Sequence, residues 1–344
     1  MKQKSSLDIA KFICALLILI IHTNPFGSYS KALSFGFRNV VCVIAVPFFF
    51  ATSGYLLMDK LSTLKTHAER KDYMKKYLMR LLQIYLVWSA VYFPFVVIKW
   101  IRKGFSLALI LEYIRDFIFE GSYSTIWFLP ALMTAAAAFY LLWQKLNVKK
   151  VFFVGCGFYV ITLLLSSYYG ITSRLPGLTQ IGQAYYLFFD SVKNGLLFGL
   201  VFVALGAMIR HEQFFARFTR KHALVGTVLS YLLLCAEVIV YKLIGNTRGI
   251  DTVASLLPLT TCAMLFALSF ELQPSKLCLS LRKYSMLIFL CQRLPISLIE
   301  LFLNETMLAT NTVVNCVTVS AATFGIAFVI IKLSEKWTWL KKIY

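Results

Sequence analysis

Lys11 and His22 stand eleven residues apart in the apolar run LDIAKFICALLILIIHTNPF, residues 7–26. Eleven residues turn an α-helix through 1100°, three turns plus about 20°, so both side chains leave the same edge about 16 Å apart. Asp8, three residues before Lys11, shares that edge. An imidazole with a pKa near neutrality can take a proton from a hydroxyl, and an ammonium can hold an anion. Each residue also has a plainer reading. Asp8 and Lys11 can snorkel to a membrane surface, and His22 can cap the helix at the opposite interface. A lysine or aspartate near the middle of a bilayer costs roughly 2.5 to 3.5 kcal/mol, so such an edge is expected to face protein or local water.

Other segments carry weaker signals. PFFFATSGYLLM, residues 47–58, sets Thr52, Ser53 and Gly54 behind three phenylalanines, where small residues let helices approach. STIWFLPALM, residues 124–133, puts Trp127 at a helix start, the place of an interfacial aromatic belt, with Pro130 in the first turn. The basic loop from Asp59 to Arg80, which includes Lys76, reads as a topology signal against anionic lipid or as a holder of a polyanion such as coenzyme A. Arg293, beside Gln292 in an apolar run, requires an acidic group or an anionic ligand.

These residues need elements to position them, and composition says which. Of 344 residues 59% are hydrophobic and only 15% charged. Together with a mean hydropathy of +0.74, this is more apolar surface than one soluble core can hide. The expected class is therefore all-α and polytopic, with one membrane domain over residues 1–344. Apolar stretches long enough for about 30 Å of hydrocarbon occur at ten places. Their approximate spans are 8–23, 38–58, 81–98, 125–144, 151–169, 186–209, 223–243, 255–272, 284–303 and 312–332. The sixth is interrupted by Asp190 and Lys193, and a start nearer Asn194 is equally compatible with the pattern.

With ten crossings, 24 lysines and arginines fall on the side of the termini and 10 on the other, with Arg293 inside the ninth span. That asymmetry puts both termini in the cytoplasm. The net charge of +20 is thus a matter of topology. Nucleic-acid binding is excluded, because such proteins carry their aromatics among basic residues and not inside apolar runs. No removable signal peptide is expected, since the first apolar run passes directly into an asparagine-proline turn. Seven of the eight cysteines fall in apolar segments and Cys278 in a short basic loop; none has zinc-ligand spacing, so no metal site is expected.

Taken in order, LDxxK, ten residues, His22, then FFxxSGY, the basic run into the third span and WFLPAL resemble the acyltransferase-3 family of integral membrane O-acyltransferases. The resemblance covers nearly the whole chain. It implies a catalytic role for His22 with Lys11, and substrate or donor contacts at Ser53, Trp127, Lys76, Arg80 and Arg293. It also implies transfer of an acyl group, commonly acetyl, from cytoplasmic acyl-CoA to a hydroxyl of an extracytoplasmic glycan or other small envelope acceptor. Acyl-CoA would be a substrate, with no permanently bound cofactor, and the site would lie in a multi-pass bacterial cytoplasmic membrane protein. As general base or as covalent acyl carrier, the imidazole suits this chemistry.

Several positions depart from the family pattern, among them Tyr55 for the usual phenylalanine and Tyr77 in place of a second basic residue. The run Lys76, Tyr77, Arg80 has Gln83 where a proline is usual, and Gln292 stands about where many members have histidine. The chain is also similar to the membrane halves of vancomycin-resistance serine racemases, which share a turn like His22, Thr23, Asn24, Pro25. In those proteins the membrane half is associated with serine uptake. The alternative function is accordingly that of a serine or small-molecule transporter. The chain ends about a dozen residues after the tenth span, so no racemase domain is expected.

Overall fold

A computed structural model describes residues 4–245, 248–303 and 306–344. Lys2, counted in the charge asymmetry, lies outside the described residues. Among them all regular structure is helical. The principal helices are α1 (Ser5–Thr23), α2 (Ala45–Leu61), α3 (His67–Lys103), α4 (Leu107–Phe119), α5 (Phe128–Trp143), α6 (Val148–Leu165) and α7 (Pro176–Phe188). There follow α8 (Gly195–His211), α9 (Arg220–Ile244), α10 (Leu256–Leu268), α11 (Lys276–Cys291), α12 (Arg293–Phe302) and α13 (Thr312–Lys336).

Among the described residues seven segments are long and apolar enough to cross a membrane. Shorter apolar helices α5, α8 and α10 stand where the other three spans were expected. Rows of bare aliphatic side chains, such as Leu224, Val228, Leu232 and Leu243 on α9, are tolerable against acyl chains and costly against water. The chain is a multi-pass membrane protein.

Local chemistry sets the ends of these helices. Asn147, Asn194, Thr219, Ser275 and Asn311 each accept a backbone N–H from the first turn of α6, α8, α9, α11 and α13. Asn24 adopts a left-handed conformation (φ 45°) and returns its N–H to Ile20, closing α1 before Pro25.

Two expectations are corrected and one choice is decided. Of the two starts open for the sixth span, the one near Asn194 holds: residues 189–194 are not helical, and Asn194 caps a new helix because its carboxamide takes the N–H groups of both Leu196 and Leu197. Of the Asp59–Arg80 stretch only residues 62–66 are a loop: Asp59 to Leu61 end α2, and from His67 it is the start of α3, whose 37 residues extend about 55 Å, well beyond the hydrocarbon. Cys278 is not in a loop but buried in the first turn of α11.

The helices form two compact units, between which the chain passes four times among the described residues. The first holds residues 46–78 and 130–271. Within it α6 packs on α8 and α9 on α10. Glycines set the closest approach of α2 to α8: a Cβ on Gly54 would strike the Val203 backbone, and one on Gly206 the Ala51 carbonyl. Ion pairs Asp59–Arg210 (2.5 Å) and Lys149–Glu212 (3.1 Å), with a hydrogen bond from Arg220 to the Ser269 carbonyl (3.1 Å), gather the ends after α2, α5, α8 and α10. Lys193–Asp251 and the Tyr168–Glu237 hydrogen bond gather the opposite ends.

Burial pushes the Glu212 carboxyl up, but hydrogen bonds from Lys149 and His211 outweigh it and hold the group below its ordinary value. A carboxyl depressed on folding contributes stability above its unfolded pKa that is lost as pH falls through the folded one. E212Q should therefore flatten the acid limb of thermal stability below about pH 4.3 and leave the basic limb unchanged, as read by unfolding in detergent across pH.

Of the described residues the second unit holds 4–45, 79–129 and those of 272–344. Here α1 packs against α11 and α13, with Phe12 edge-on to Phe324. Thr312 donates to the Pro25 carbonyl (2.8 Å), tying the turn after α1 to the start of α13.

Candidate functional site

Along α1, Cys14, Ala15, Ile18 and Leu19 are all buried, and they are the residues that lie between Lys11 and His22 on one edge. Ile13, on another face, is exposed. The Lys11–His22 edge therefore faces protein. Both end residues are half-buried.

At the Lys11 end, Asp8 is 4% exposed and receives both Nε and a terminal nitrogen of Arg282, each at 2.8 Å. Lys11 lies within electrostatic reach of Asp8 and Arg282. One carboxylate thus serves two cations, leaving a positive excess suited to an anion. At the other end, the last turn of α1 is held by three bonds. Thr23 donates to the Leu19 carbonyl (2.9 Å), Ser34 to Asn24 (2.6 Å) and Thr312 to Pro25. His22 sits in a rigid frame.

Trp127 precedes α5 at the end of a pinned segment. Gly121, at φ 100°, brings the backbone so near Trp127 that a Cβ would lie 2.5 Å from its Cα. Glycine is required there on both counts. Ser122 donates its N–H to the Tyr85 hydroxyl (2.9 Å), and its own hydroxyl bonds Ser89 (2.6 Å). Tyr123 stacks on Tyr92 with centroids 4.7 Å apart and bonds Ser297 (2.7 Å).

The remaining candidates separate. Ser53, in the first unit, donates back to the Phe49 carbonyl (2.8 Å), so its proton is engaged within α2 while its oxygen can still accept. Lys76 pairs with Asp72 one helical turn away (2.7 Å) and is 74% exposed. K76A should accordingly shift thermal stability by no more than about 0.5 kcal/mol. Arg80, also exposed, donates to the Tyr344 carbonyl (3.2 Å). Arg293 has found the acidic partner that an intramembrane charge demands: Glu300, two turns along α12, at 2.9 Å.

Two residues of consequence were not singled out from the sequence. Arg282 was counted as a loop charge, and its partner Asp8 is 274 residues away. Glu237 lies inside the apolar α9 and accepts from Tyr168, Tyr241 and the N–H groups of Ala254 and Ser255, all within 2.9 Å. An acid in an apolar run was the available signal.

Comparison with known proteins bears on this arrangement. A racemase of Enterococcus faecalis named as acting on amino acids is 27% identical over 98% of this chain and 47% of its own length. A second amino-acid racemase of that organism is 33% identical over 60% of this chain and 28% of its own length. A serine/alanine racemase of Enterococcus gallinarum is 23% identical over 99% of this chain and 47% of its own length. The chain spans about half the length of the last and the first of these at most. No solved structure matches. The acyltransferase-domain family model matches residues 4–332, and with the inward Lys11–His22 edge on a bundle of apolar helices the conclusion is that this chain belongs to the acyltransferase-3 family of membrane proteins.

Proposed function

We propose that the protein moves an acyl group, acetyl in the first instance, from a cytoplasmic acyl-CoA to a hydroxyl of an extracytoplasmic glycan or other small envelope acceptor. The observation that supports this most is the inward edge of α1, with its two ends about 16 Å apart. In this reading both termini are cytoplasmic, ten helices cross the bacterial cytoplasmic membrane, and Lys11 and Arg282 receive the donor's anionic groups. For the pantetheine arm to reach His22, the packing over Cys14, Ala15, Ile18 and Leu19 has to open, since all four are buried against protein.

There the imidazole takes the acceptor's hydroxyl proton as the oxygen attacks the thioester carbonyl. The C–S bond breaks, and the leaving thiolate recovers the proton from the imidazolium. If the imidazole instead carries the acyl group, the same bonds break in two steps. Trp127, Arg80 and Arg293 are assigned to substrate contacts by family position, and Ser53 to an accepting role.

The test is a comparison of cell-envelope glycans with and without the protein by mass spectrometry. Loss of an acetyl or succinyl mass is the expected result, and identical spectra would overturn the reading. The racemase relatives favour a second reading, a serine or small-molecule carrier; serine accumulation in vesicles without any acyl-CoA dependence would select it.

A further inference from the structure

The second unit contains a cavity of about 250 Å³, just below the range of about 300–1,000 Å³ for drug-sized ligand sites and so suited to a smaller molecule. Its walls are of mixed charge. Lys99, Lys103 and Arg293 supply cations, Glu112 and Asp116 supply carboxylates, and Tyr123 closes one side. Lys99 rests over the Tyr123 ring at 5.0 Å, and Asp116 is bound by Arg115. Among the described residues no ion pair joins Glu112 to either lysine.

Arg293 adds a second observation. Its terminal nitrogen meets Glu300, but its Nε–H is buried with no acceptor, and the neighbouring Gln292 is fully buried with an unpaired Oε1. A buried guanidinium N–H without a partner costs about 1–3 kcal/mol or more. Gln292 is also where α11 ends and α12 begins, and interrupted helices at membrane depth occur where they line a cavity. α4 supplies the acidic wall from its polar side, while Leu107, Leu111, Ile114 and Ile118 leave its other side bare and apolar. With thirteen residues it is too short to cross and suits an interfacial position.

We propose that this cavity binds a small zwitterion, its anionic oxygens on Arg293 and Lys99 and its ammonium on Glu112. A free amino acid and the headgroup of an ethanolamine phospholipid both carry that pair of charges. The site shares Arg293 with the substrate contacts assigned above, and its free-amino-acid arm deepens the carrier reading, but the test reads binding alone and so can fail without either reading failing.

The full-length protein in phosphatidylglycerol nanodiscs is titrated with radiolabelled glycine, with acetate and methylammonium as single-charge controls. In parallel, nanodiscs containing phosphatidylethanolamine are stripped and the retained lipid counted by native mass spectrometry. Saturable glycine binding that weakens tenfold or more in E112Q assigns a free zwitterion. Retained ethanolamine lipid that is lost in E112Q assigns the headgroup. Glu112 is exposed, so this variant is expected to fold, and thermal unfolding checks it. R293K, which keeps the charge but removes the Nε–H, should weaken whichever ligand binds. The proposal is overturned if neither probe exceeds its single-charge controls or phosphatidylglycerol, or if E112Q binds as the wild type does.

Discussion

Replacing His22 with alanine is expected to lower acyl transfer by about 10²- to 10⁴-fold, the usual worth of a positioned proton-transfer group, and further if the imidazole carries the acyl group. The measurement is release of the CoA thiol by purified protein in vesicles that contain envelope acceptor. Folding should survive, because the turn at His22 is held by Thr23, Asn24 and Thr312, none of which the substitution touches. A rate within twofold of wild type would remove His22 from the chemistry. Trapping of an acyl adduct on His22 would separate the covalent route from the general-base route.

The second large effect concerns the crossing of α2 and α8. Gly54 and Gly206 admit the partner backbone on reciprocal faces: Ala51 meets Gly206, and Gly54 meets Val203. Adding one methyl at Gly206 pushes it into a carbonyl oxygen that belongs to a helix and cannot rotate aside. Overpacking of a flexible side chain costs about 1–3 kcal/mol, and a backbone obstacle should place G206A at or above the top of that range. Thermal unfolding in detergent and monodispersity on size exclusion read the effect. G54A should behave alike, and the double variant should cost less than the two singles added, since both separate the same helices. A wild-type unfolding temperature for G206A would refute the close crossing.

That crossing also gives a physical account of FFxxSGY. Its glycine is the point of helix contact, and its serine bonds its own helix. The small-residue reading was available from the sequence, but the identity of the partner helix was not.

Much of the architecture follows from short-range chemistry. A run of some twenty apolar residues has few uses but to cross hydrocarbon, so apolar helices stand at the ten expected positions, seven of them long enough to cross and three shorter, and Asn194 marked the true start of α8 because a carboxamide caps whatever follows it. The shared edge of Lys11 and His22 follows from helical pitch alone. The α4 helix carried a legible period at Leu107, Leu111, Ile114 and Ile118 but was too short for a search built on membrane thickness.

Tertiary structure decided what those elements face. That Asp8 binds Arg282, that Glu237 collects Tyr168 and the N–H groups of Ala254 and Ser255, and that Lys99, Glu112 and Arg293 share one cavity are contacts across tens to hundreds of residues. Helical pitch orders side chains around one axis, whereas burial and charge pairing depend on which second helix lies alongside, and no local pattern encodes that choice.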